Sequence, residues 1–428
     1  MGNRKLLYAL IIAGMSLATA WAIRGQFGHE QGAAWAGGIG GLSIILLAKR
    51  PDWNAKAVQA ALAAAVGWGA GGMISYGIVV GYGKGLEFGN VYYGLAMLFV
   101  IGALFGLLGG GLFGLTLASN KKNPVDWPRL ITEMAAGGLI VYFFLVVQLG
   151  YLMTPPRSEA WAVCLGMAVA MLWYMLRHHH EAPLKVALWA GLGAGFGFAF
   201  GNFLQVMGNA LEIPFNFWNV MEYSIGFFGG IGMAYGTFTS AWEPSEVEAN
   251  KSRVLVPLLL LTVFIPFIVW EQSFGGTKLS RSLESIGYEG DGGALISSLQ
   301  WMAVLLIAIA AAYLFRRLYS QKPNSLISVS HQDVFSLFVI TSGVYTLYSI
   351  IITLAFMSTY RIEQYLYVVN YAVIYLYIGK IEPRWEDRGL QMRKWSVLMV
   401  MILVALAVMT FVAINSHGEM PGAHRRFE

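Results

Sequence analysis

Apolar stretches of 16 to 27 residues follow one another from Leu6 to Ile414, divided by short polar or glycine-rich breaks. A helix rises 1.5 Å per residue, so about 20 apolar residues cross the roughly 30 Å hydrocarbon core of a bilayer. The pattern predicts an all-α polytopic membrane protein with about 13 transmembrane helices. They fall near residues 6–23, 33–48, 57–80, 92–118, 130–153, 160–176, 184–204, 219–241, 254–272, 294–315, 334–357, 363–379 and 395–414. Small residues at four-residue spacing, such as Gly67/Gly71, Gly102/Gly106 and Gly193/Gly197/Gly201, predict helices that approach closely through their backbones.

The pattern also repeats. Gly67, Gly69, Ala70 and Gly71 match Gly191, Gly193, Ala194 and Gly195 at an offset of about 124 residues, and Gln148 matches Gln272. An even number of helices per period keeps both copies in one orientation, so the expectation is a parallel tandem four-helix repeat, about 57–180 and 184–319. The first hairpin resembles a shorter third copy, with Gly14-Met15 aligned to Gly72-Met73. The chain therefore divides into an N-terminal hairpin with a polar re-entrant motif (1–56), two four-helix units (57–183 and 184–322) and a C-terminal three-helix bundle (323–428).

Composition sharpens the class. Hydrophobic residues make up 57% and charged residues 12%, where soluble proteins average about 25% charged. With one cysteine, Cys164, neither an intramolecular disulfide nor a cysteine-based metal site is available. The net charge of +5 reflects loop charges rather than a nucleic-acid footprint. With the N-terminus cytoplasmic, twenty of the 28 Lys and Arg fall in inside loops, so the expected topology is N-terminus in, C-terminus out, in a bacterial inner membrane. Asn3-Arg4-Lys5, the apolar run and Ala20-Trp21-Ala22 also have the form of a signal peptide, but the first helix fits the repeat.

Charged and amide side chains are costly near hydrocarbon, so where they interrupt such a chain they mark candidate sites. The strongest break is Arg24-Gly25-Gln26-Phe27-Gly28-His29-Glu30. A second holds Lys84 and Glu87, and a third holds Asn202, Gln205, Asn209 and Glu212, with Asn216, Asn219 and Glu222 beyond it. Gln272 ends the ninth expected helix at the same outer level. The candidate solute- or ion-binding set is thus Arg24, Gln26, His29, Glu30, Glu87, Asn202, Gln205, Asn209, Glu212 and Gln272. Arg24 suits an anionic group, the carboxylates suit a cation or proton, and the simpler alternative is an Arg24–Glu30 pair or a solvated turn. His178-His179-His180 lacks a second ligand cluster at zinc spacing, and Gly67-Trp68-Gly69-Ala70-Gly71-Gly72 lies inside an apolar helix with no preceding strand, which excludes a dinucleotide fingerprint. Neither a cofactor nor a metal is called for.

Three functions fit. The first is a transporter or permeation protein for a small polar solute or ion, open to the non-cytoplasmic side. The second is an intramembrane, transferase-like enzyme acting on an extracytoplasmic or lipid-linked substrate, with His29 and Glu30 as acid–base groups. The third is a membrane scaffold or assembly subunit. The expected partners are the lipid bilayer and a small solute; a homo-oligomer is left open.

Overall fold

The computed structural model describes residues 2–244, 251–319 and 329–427. The boundary expected at 322/323, and Lys322 with it, lies outside the described residues. Every regular element among the described residues is a helix, and ten helices are long and apolar enough to cross a membrane.

Six helices close into a ring. They are α1 (Gly2–Arg24), α2 (His29–Ala48), α4 (Ala57–Gly72), α6 (Phe88–Ala118), α9 (Glu181–Ala210) and α10 (Phe217–Phe238). The short α3 (Pro51–Asn54) and α5 (Gly77–Tyr82) lie in the connections on either side of α4. Around the ring α1 packs on α2, α2 on α4, α4 on α6, α6 on α9, α9 on α10, and α10 back on α1. Each neighbour is antiparallel: Ala13 meets Gly230 while Ala18 meets Gly226, and Gly102 meets Ala194 while Gly106 meets Ala190. The ring is therefore three up–down hairpins, α1–α2, α4–α6 and α9–α10.

Glycine makes this closeness feasible. A Cβ on Gly106 would stand 2.1 Å from the Ala190 carbonyl oxygen, and one on Gly193 would stand 2.1 Å from that of Phe228. Aromatic side chains fill the axis: Trp21 of α1 packs on Trp68 of α4 (5.0 Å between ring centres) and on Phe105 of α6 (5.4 Å), and Phe105 on Phe198 of α9. All four are fully buried.

The remaining helices pack outside the ring. They are α7 (Trp127–Tyr142, prolonged by a π turn Phe143–Gln148), α8 (Ala160–Arg177), α11 (Lys251–Leu259), α12 (Ile265–Ser273), α13 (Gly276–Ser285), α14 (Gly292–Tyr319), α15 (His331–Thr353), α16 (Ile362–Ile378) and α17 (Met392–Ile414). A π turn at Leu260–Phe264 joins α11 to α12.

Several expectations need correcting. The helix expected over 57–80 is broken: α4 stops at Gly72, residues 74–76 are non-helical, and α5 resumes at Gly77. Ten of the thirteen expected spans meet that standard of length and composition among the described residues; α4, with 16 residues, and α16, with 17, are shorter than it asks. The third shortfall, α10, has 22 residues, but Asn219, Glu222, Ser224 and its glycines dilute its apolar character. The third polar break is not a break at residue 202, since α9 continues through Asn202, Gln205 and Asn209 to Ala210. Hydropathy also overlooked α13, a polar surface helix that buries only Leu279 and Leu283.

Candidate functional site

At one end of the ring, just beyond the aromatic plug, each hairpin sends one polar side chain to the axis. The last residue of α1 is Arg24, which the α1–α2 turn leaves pointing inward. The unwound stretch between α4 and α5 presents Tyr76. Glu222 sits on the second turn of α10. All three are buried, with Arg24 1% and Glu222 0% exposed.

Their hydrogen bonds form a closed triangle. Arg24 Nη1 donates to the Tyr76 hydroxyl (2.7 Å) and to Glu222 Oε2 (3.0 Å), while the Tyr76 hydroxyl donates to Glu222 Oε1 (2.7 Å). The guanidinium lies over the Trp21 ring at 4.7 Å, so the plug also supplies a cation–π face. His29 stands at the rim, its Nδ1 3.4 Å from Arg24 Nη2 and its ring edge-on to Tyr76. Trp218 stacks beside Tyr76 at the same end. An ion pair this deep loses most of its hydration, and Coulomb attraction repays that loss only when hydrogen bonds complete the geometry. Here the repayment is incomplete, because Arg24 Nε is buried with no partner.

A second polar layer flanks the triangle. Ser349 of α15 donates to Gln26 Oε1 (2.8 Å) and also bonds Gln364 of α16. The amide nitrogens of Gln26, Gln31 and Gln364 and the Tyr367 hydroxyl are buried without partners. Nearby, Glu363 accepts from Asn216 (3.3 Å) and Asn219 (3.2 Å), tying α16 to the start of α10. Buried polar groups left open in this way cost stability unless water or a ligand meets them.

The candidate residues read from sequence are distributed unevenly about this centre. Arg24 is in it, His29 touches it, and Gln26 belongs to the flanking layer. Arg24 pairs with Glu222 rather than with Glu30, which is exposed beside His29. Gln272 is exposed, with its side-chain oxygen facing Gly28 alongside the Gln31 amide. Asn202 and Gln205 are buried but brace the fold: Asn202 Nδ2 donates to the Val80 carbonyl (3.4 Å) and to Gln205 Oε1 (3.2 Å). Asn209 and Glu212 are exposed at the α9–α10 turn, where Glu212 adopts a left-handed φ of 51°.

Glu87 is exposed at the start of α6, beside a cavity of about 270 Å³ that it shares with Lys84 and the C-terminal residues Glu419 and His424. Burial lowers the pKa of Lys84 there. Tyr76, Gln364, Ser349 and Tyr367 were missed entirely. Glu222 was visible as an acid in an apolar helix, yet nothing local paired it with Arg24.

Among the described residues, no three His, Cys, Asp or Glu side chains gather as a metal site would need. His180 packs on Tyr174 and near His178, and burial lowers its pKa to about 4. No family model, curated protein or solved structure matches the chain.

Proposed function

We propose that the protein carries a small polar solute or ion across the membrane, with the Arg24–Tyr76–Glu222 triangle as its binding centre and the Trp21/Trp68/Phe105/Phe198 plug as its barrier. The observation that carries this reading is the broken helix. Non-helical backbone at membrane depth is tolerated where protein buries it or water lines it, and transporters build binding sites from such discontinuous helices. Here the unwound residues Ile74 and Tyr76 are 1% and 3% exposed, and the break delivers a hydroxyl between a buried cation and a buried anion. The unpartnered donors at Arg24 Nε, Gln26 and Gln364 favour a solute rich in acceptors, such as an anion or a carbonyl compound.

The finer expectations belong to the same reading. The glycine matches between 67–71 and 191–195 support a parallel tandem four-helix repeat, about 57–180 and 184–319, with the first hairpin as a shorter third copy. The thirteen-span count, the N-in, C-out topology and a bacterial inner membrane complete it, with the binding centre at the non-cytoplasmic end. A transferase is less well served, because His29 and Glu30 lie exposed at the rim and Arg24 is committed to Glu222.

The test is uptake into proteoliposomes from a panel of inorganic anions, carboxylates, amino acids and sugars, wild type beside Tyr76→Phe. The phenylalanine keeps the ring and removes only the hydroxyl. One solute should be taken up by wild type and at least about tenfold more slowly by the variant, the effect of losing roughly 1.4 kcal/mol. Uptake of nothing in the panel by folded wild type, or equal uptake by both proteins, would overturn the proposal.

A further inference from the structure

A large cavity lies away from the ring axis, on the flank where α7 and α8 meet α4 and α6. It has a volume of about 1300 Å³, and its walls are apolar side chains such as Leu62 and Val66 of α4, Leu112 of α6, Ile131 and Leu139 of α7 and Met167 of α8. The groove exists because α7 stands off the ring. Its close partner is α8, against which Gly137 and Gly166 pack backbone to backbone, and it buries only Leu130, Met134 and Gly138.

One end of the groove is polar and positive. Lys56, Gln59, Ser119, Asn120 and Lys121 line it, and among the described residues no carboxylate does. Lys56 donates to the carbonyls of Thr116 (3.4 Å), Leu117 (3.1 Å) and Ser119, so its ammonium is held in place at the end of α6. Lys121 is exposed beside it, and Gln59 Oε1 has no partner. From the level of Lys56 to that of Ala70, fourteen helical steps of 1.5 Å span about 21 Å. One leaflet of the hydrocarbon core is about 15 Å deep, so a chain anchored at the lysine end runs the depth of its leaflet inside the groove.

We propose that this groove binds an anionic glycerophospholipid, one acyl chain lying between α4, α6 and α7 and the phosphate at Lys121 within the field of Lys56. Apolar walls facing a void forfeit their dispersion contacts, which an acyl chain restores. The charge pattern selects the headgroup, because basic side chains at a membrane surface attract anionic lipid. The lipid wedges the α7–α8 hairpin against the ring, whatever solute the axial site handles.

The experiment compares phosphatidylglycerol with phosphatidylcholine, reading native mass spectra of the detergent-purified full chain and its melting temperature as each lipid is added. The variants are Lys121→Gln and Val66→Trp, both at exposed positions, so each should fold as wild type does in detergent alone. Phosphatidylglycerol should be retained and should raise the melting temperature more than phosphatidylcholine does. Lys121→Gln should weaken it about fivefold, and Val66→Trp should abolish the effect of both lipids by filling the groove. Equal effects of the two lipids that Lys121→Gln leaves unchanged would overturn the proposal. So would a lipid-free dimer that Val66→Trp splits, since the groove would then hold a second copy of the chain. Should the tryptophan variant misfold, the lysine variant and the lipid comparison still decide the matter.

Discussion

A guanidinium and a carboxylate sealed from water each depend on the other, and removing one leaves a stranded charge. Glu222→Gln should therefore cost about 3–5 kcal/mol, the usual penalty for breaking a buried ion pair from one side. Replacing both partners, Arg24→Met with Glu222→Met, should recover most of that loss, because apolar pairs of similar volume are often as stable as the ions they replace. Thermal unfolding of Arg24→Met, Glu222→Met and the double variant measures the coupling between them. Uptake separates structure from function: the double variant should melt near wild type and transport nothing. If it melts normally and still transports, the triangle is only a clasp between α1 and α10. Arg24 was legible in the sequence because a cation beside an apolar run is conspicuous. Its partner was not, because Glu222 lies 198 residues away and only the packing of α1 on α10 brings them together.

Helices that touch through their backbones leave no room for a methyl group, whereas a helix that has just unwound has room to spare. Gly106 and Gly77 represent the two cases. A Cβ at Gly106 would meet the Ala190 carbonyl oxygen at 2.1 Å, so Gly106→Ala must push α6 from α9 and should cost about 1–3 kcal/mol. A Cβ at Gly77 meets nothing within 4 Å, and Gly77→Ala should be neutral or stabilise α5 by up to about 1 kcal/mol. Melting temperatures of the two variants, measured in one detergent, check the contrast. The glycine spacing was readable because close packing leaves a period in the sequence. The break at 74–76 was not, because Ile74-Ser75-Tyr76 carries neither a charge nor a proline to mark it within the apolar run. What holds the segment open is tertiary: the Tyr76 hydroxyl is bonded across the axis to Arg24 and Glu222. The same limit explains α9, where the amides of Asn202 and Gln205, which suggested a turn, are instead buried on an intact helix.

The ring has two unlike ends, and the difference between them extends to the whole molecule. The end with the triangle also receives the C-terminal segment: the His424 N–H donates to the Gly81 carbonyl (3.0 Å), and Asn90 bonds both the His424 carbonyl (3.0 Å) and the Arg426 N–H (2.7 Å). The opposite end gathers Arg50 over Trp53, with Trp53 packed on Trp242 and Trp385, and it holds Lys56, Lys121 and Arg177. Basic residues are retained on the cytoplasmic side of membrane proteins, so the lysine end should face the cytoplasm and the triangle should face out. The chain is well suited to the test, since its one cysteine, Cys164, is buried. Glu87→Cys and Lys121→Cys each place a single exposed thiol at one end of the ring. In intact cells a membrane-impermeant maleimide should label the cysteine at 87, and should label the one at 121 only after the membrane is permeabilised. The reverse pattern would turn the molecule over. The triangle would then open to the cytoplasm, the groove lipid would come from the outer leaflet, and the loop charges would orient this chain against the usual rule.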